Sequence, residues 1–104
     1  MYSPVFLRNE NQLNKVLKNQ KKTREEMAIL FVSLWDKLSQ KLVRILRNSK
    51  VTGGVPLYVV DSFTMPHAFV IFNTSKIPHL VKLNKKGVVQ SEDYLSQIYS
   101  DLKI

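Results

Sequence analysis

The chain is 104 residues long, 44% hydrophobic and 23% charged, with 16 Lys/Arg against 8 Asp/Glu, a formal charge of +8 and no cysteine. That length suits one domain, residues 1–104, with a core of its own, and the missing cysteine removes disulfides, thiol nucleophiles and thiolate metal sites together. The longest apolar run falls far short of the roughly 20 residues that span a bilayer, and residues 1–30 lack the apolar segment of a signal peptide. A cytoplasmic protein with no membrane contact is expected.

The charge is lopsided: residues 1–60 hold 11 Lys/Arg and 4 Asp/Glu, residues 61–104 hold 5 and 4. Such asymmetry suits an acidic partner surface, nucleic acid included, and it equally describes a plain solvated face.

In chain order, Val5-Phe6-Leu7 after Pro4 reads as a short first strand. Leu13, Val16 and Leu17 then recur at i, i+3, i+4, the rhythm of a helix face, with Asn9 or Asn11 as N-cap. Lys18 to Arg24 contains no apolar residue and is either a loop or an exposed continuation of that helix. Ala28 to Trp35 is an eight-residue run rich in Ile, Leu, Phe and Val, the pattern of a strand buried on both faces.

From Leu38 the rhythm changes to 38, 42, 45 and 46, an amphipathic helix with Val43 at the margin of its apolar face. Lys37, Lys41, Arg44, Arg47 and Lys50 fall on the other side. Asp36 stands at the junction, placed to cap the helix and meet the positive end of its dipole. Thr52-Gly53-Gly54 breaks the chain before a second core strand, Leu57 to Val60, bounded by Asp61.

Thr64-Met65-Pro66 predicts a helix start with Thr64 as N-cap and Pro66 in the first turn, and the helix is expected to cover Pro66–Phe72. His79 to Leu83, the turn Asn84–Gly87 and Val88 to Gln90 predict a hairpin. His79, Lys82 and Lys85 mark its solvated side. Ser91-Glu92-Asp93 predicts the opening of a last helix with Leu95, Ile98, Tyr99 and Leu102 on its apolar face. The order is β-α-β-α-β-α-β-β-α, an α/β domain with a central mixed sheet and helices on both faces.

These residues resemble the thioredoxin-like superfamily. Met65 to Pro78 is similar, without gaps, to the family segment that runs from its Asn-Pro helix start to its Ile-Pro loop, and Leu80 to Val89 resembles the family hairpin, with Gly87 one place from the usual turn glycine. Val59-Val60-Asp61 resembles the Val-Asp that ends the family's third strand. Trp35-Asp36-Lys37-Leu38-Ser39 stands where thioredoxins carry Trp-Cys-Gly-Pro-Cys. The resemblance implies that Ile77–Pro78 is a cis peptide facing the site, and that Trp35 is exposed.

It also marks the departures. Asp36 and Ser39 replace both redox cysteines, Leu30 stands where oxidoreductase members bury an acid, and the final strand is expected to be shortened. Disulfide exchange needs a thiolate to attack sulfur, which Asp and Ser do not supply. A non-catalytic member of the superfamily is expected, with no cofactor. The thioredoxin-like proteins of the spliceosome are similar in carrying Trp-Asp at this junction, a strand ending in Val-Asp and a Pro-led helix.

Other chemistry finds little support. His67 and His79 are too few for a metal site without more ligands, Ser39, His79 and Asp61 form no recognisable triad, and three glycines do not make a phosphate-cradling loop. Asp36 and Ser39 are either caps or a charge and a hydroxyl shown to a ligand, and Trp35 is either core or an anchor. Two classes of function remain. One is a protein-interaction module using Trp35, Asp36, Ser39, Ile77 and Pro78 against an acidic protein partner, with Lys37, Lys41, Arg44 and Arg47 as a basic surface. The other is binding of RNA or DNA through the basic N-terminal two-thirds.

Overall fold

The computed structural model describes residues 4–48, 55–74 and 76–94. Five strands, β1 (Val5–Phe6), β2 (Met27–Val32), β3 (Leu57–Asp61), β4 (His79–Leu83) and β5 (Val89–Tyr94), alternate with helices α1 (Glu10–Thr23), α2 (Lys37–Asn48) and α3 (Pro66–Ile71). They form one mixed sheet in the order β1-β3-β2-β4-β5. β1 and β2 run parallel to β3, and β4 runs antiparallel to β2 and β5.

β2 is the centre of the sheet, and every residue in it is buried. Because successive side chains point to opposite faces, the strand feeds two cores at once. Ala28, Leu30 and Val32 pack with Leu42, Val43 and Leu46 of α2, while Met27, Ile29 and Phe31 pack with Leu13 of α1 and with Met65 and Ala68 beside and within α3. Phe31 meets Phe69 edge-on, with centroids 5.1 Å apart. Each large side chain buried this way contributes roughly 1.5–3 kcal/mol, so the uninterrupted apolar run is what two-sided burial demands.

Asn9 is the N-cap of α1, accepting from the Gln12 amide at 2.9 Å. The polar stretch Lys18–Thr23 continues the helix, and Arg24 ends it at φ 54°.

Four expectations are corrected. Thr64 is not the N-cap of α3; Met65 holds that position and gives no side-chain cap. Asp61 gathers the turn instead, its Oδ1 accepting from the Phe63 and Thr64 amides at 2.9 Å each and its Oδ2 from the Thr64 hydroxyl. The apolar face of α2 is rotated: Ser39, Leu42, Val43 and Leu46 are buried and Leu38 is exposed. The stripe 39, 42, 43, 46 has the same i, i+3, i+4, i+7 spacing, so periodicity alone does not separate the two choices.

His79 is buried beside Phe31 and not on a solvated side. Finally, Ser91 to Asp93 do not open a helix, and the last strand is not short. β5 runs to Tyr94, pairing from Leu83–Val89 to His79–Tyr94 with an irregularity at Lys82/Leu83. Ladder hydrogen bonds along the whole of β4 outweigh the capping preference of Ser91. The expected helical face Leu95, Ile98, Tyr99 and Leu102, and the break at Thr52–Gly54, lie outside the described residues.

Candidate interaction surface

Parallel pairing of β2 with β3 places Asp61 beside Val32, and antiparallel pairing of β2 with β4 places His79 beside Phe31. The chain leaving β2, the turn after β3 and the chain entering β4 therefore share one end of the sheet. Trp35, Asp36, Ile77 and Pro78 are brought to this end together, and the Ile77–Pro78 bond is cis.

Ser33 to Asp36 form a tight turn: the Asp36 amide donates to the Ser33 carbonyl at 3.1 Å and the Trp35 amide to Ser33 Oγ at 3.3 Å. This turn pushes two apolar side chains outward. Trp35 is 82% exposed and Leu34 45%, which resolves the choice between core and surface for Trp35. Leu38 and Phe63 are also exposed at this end, Phe63 by 71%. Single exposed apolar residues need no explanation, but several at one end form a patch that does.

Asp36 caps α2. Its Oδ2 accepts from the Ser39 amide at 2.8 Å, and its carbonyl accepts from Gln40 at 2.9 Å. The carboxylate thus serves the helix, where it also meets the positive dipole end. Ser39 is wholly buried and its hydroxyl has no hydrogen-bond partner, so it offers nothing to a partner at the surface. Pro78 is buried and Ile77 half-buried.

Lys37, Lys41, Arg44 and Arg47 are all exposed along α2. Arg47 lies over the Phe6 ring, 5.3 Å from its centroid, and with Arg8 borders a cleft of about 580 Å³ whose other walls include Val32, Val59 and Asp61.

Among the described residues no group of three or more His, Asp or Glu side chains is arranged to hold a metal, and no helix is long and apolar enough to cross a membrane. His79 Nδ1 is 3.3 Å from Thr74 Oγ1, an internal contact between a buried ring and a half-buried hydroxyl. Leu34, Leu38 and Phe63 were missed by the sequence reading. The apolar run that marks the buried strand β2 continues past Ser33 through Leu34 and Trp35 into the turn without any signal that the chain has left the core.

No protein-family model matches the chain, and neither does any curated protein. Solved structures match over almost its full length. Thioredoxin O2 from Arabidopsis thaliana, in its oxidized state, covers 96% of this chain and 94% of its own at 23% identity, with a TM-score of 0.73. The thioredoxin from Trypanosoma brucei brucei gives the same TM-score, 0.73, at 11% identity, covering 97% of this chain and 88% of its own. The thioredoxin of Trichomonas vaginalis covers 95% and 94% at 22% identity, with a TM-score of 0.67. The fold is that of the thioredoxins.

The thioredoxin-like chain described here carries no cysteine at all. At the two positions that resemble the family's thiol sites it has a helix cap at Asp36 and a buried hydroxyl at Ser39, and neither supplies the thiolate that disulfide exchange requires.

Proposed function

We propose that this is a non-catalytic interaction protein that binds a protein partner through the exposed apolar end of its sheet. Trp35 carries the reading: a tryptophan 82% exposed is the residue type that most often anchors an interface when covered. Leu34, Leu38 and Phe63 extend the patch, and half-buried Ile77 borders it at the entry to β4, with buried Pro78 shaping the backbone there. An extended segment of the partner laid along this end is the natural mode, with side chains of the patch giving most of the area.

The basic row Lys37, Lys41 and Arg44 supports an acidic partner, because exposed charges act chiefly on encounter rate and on choice of partner. Asp36 and Ser39 contribute through the helix they shape and not through contact.

The test uses immobilised wild type and Trp35→Ala, each exposed to native lysate at high salt with nuclease added. A protein retained in near-stoichiometric amount by wild type and lost from Trp35→Ala supports the reading. Equal capture by both proteins contradicts it.

A further inference from the structure

The end of the sheet opposite Trp35 gathers cations from two distant segments. Lys21 and Lys22 lie in the last turn of α1, Arg24 caps it, and Lys85 and Lys86 occupy the turn between β4 and β5. Lys21, Arg24, Lys85 and Lys86, all exposed, line a concavity of about 550 Å³ with no other residue in its walls.

This convergence is built from inside. Gln20 is 5% exposed, and its Nε2 donates to the carbonyls of Glu25 and Asn84 at 3.0 Å each, with Lys85 O at 3.3 Å. One buried amide thus ties the end of α1 to a turn 64 residues further on. The turn is itself fixed: Asn84 Oδ1 accepts from Lys86 and Val88, and the Gly87 amide donates to Asn84 O. Lys85 and Lys86 are therefore held beside Lys21 and Arg24. Like charges gathered in this way oppose folding, and among the described residues Glu26 lies beside Lys85 and Lys86.

The walls hold no apolar or aromatic residue, and their only apolar surface is the stems of the charged side chains, so this concavity lacks the aromatic and aliphatic anchors of a protein interface. It also offers no ring on which a base would stack. A curved wall of cations fits a ridge of phosphates. We propose that Lys21, Arg24, Lys85 and Lys86 seat the phosphate backbone of a nucleic acid, without reading its bases. This surface is separate from the Trp35 end and from the Lys37–Arg47 row.

Fluorescence anisotropy with labelled duplex DNA and single-stranded RNA of mixed sequence, between about 50 and 200 mM salt, tests it. Four phosphate contacts predict a log–log salt slope of roughly −3.6 on duplex DNA, the same for unrelated sequences. Lys85→Glu with Lys86→Glu should lower affinity at least tenfold and flatten the slope by about 2. Lys41→Glu with Arg44→Glu makes the same change in net charge and should leave affinity within twofold, as should Trp35→Ala.

Circular dichroism melts confirm that each variant is folded. No binding by wild type at the lowest salt would overturn the proposal. So would equal weakening by the two double reversals, which would mean bulk charge, or loss of binding in Trp35→Ala. Polyglutamate bound as tightly, with the same dependence on Lys85 and Lys86, would overturn the assignment to nucleic acid.

Discussion

Asp36 and Ser39 are joined by a single hydrogen bond, from the Ser39 amide to Asp36 Oδ2 at 2.8 Å, while the Ser39 hydroxyl is buried without a partner. The pair occupies the positions of the two thiols in the superfamily motif that the sequence resembles, and turns them into a helix start. One residue stabilises the helix and the other costs stability, which separates their mutational effects.

Replacing Asp36 by Ala removes the cap and should destabilise the protein by about 1 kcal/mol, a fall in Tm of roughly 4–8 °C. Asp36→Asn keeps an acceptor at the same place and should lose much less. Urea unfolding of the two variants checks the difference. Equal losses would mean that the carboxylate acts by charge and not as a cap.

Ser39→Ala should act in the opposite direction. It removes a hydroxyl that is desolvated and unpaired and places the best helix former in the first turns of α2. A gain of about 1 kcal/mol in urea unfolding is expected, with no change in partner binding because Ser39 does not reach the surface.

Gly87 has φ +77°, and a Cβ there would come within 2.8 Å of Gln20 Oε1. Gln20 has little freedom to yield, since its amide is engaged with carbonyls on both sides. Gly87→Ala should therefore cost at least the 1–2 kcal/mol or so of a left-handed L-residue, and it should also disturb the Lys85–Lys86 turn. Thermal melts, with anisotropy on duplex DNA beside them, read both effects.

An insulin-reduction assay with dithiothreitol should give the rate of the buffer blank, because no thiol is present to relay electrons. A rate above the blank from pure protein would show that another group performs the exchange.

Much of this architecture is legible in the residue pattern. The two-sided burial of β2, the switch of period at Asp36 and the cap itself follow from residue types and spacing. The cis bond at Ile77–Pro78 came from resemblance, since nothing local distinguishes it. Ser39 and Leu38 were exchanged in the sequence reading because apolar spacing counts side chains and not the direction in which the helix leaves the sheet. Thr64 is not the cap because Asp61 at the strand end takes its amide and hydroxyl into the preceding turn, leaving Met65 at the N-cap position. Ser91 to Asp93 joined a strand because β4 offered a complete ladder. The cationic concavity was invisible, being made by Gln20 bridging segments that no local pattern connects.

The decisive measurement is the affinity of wild type and Trp35→Ala for the partner that wild type retains, titrated with purified proteins. An anchor of this kind carries about 2 kcal/mol or more, so Trp35→Ala should bind about thirtyfold more weakly, at roughly 1.4 kcal/mol per decade. Its folding stability should be unchanged, because the side chain is 82% exposed. Lys41→Glu with Arg44→Glu should instead slow association and flatten its salt dependence. Unchanged affinity in Trp35→Ala, with binding abolished by the charge reversal, would contradict the interaction surface and move the contact to the basic face of α2.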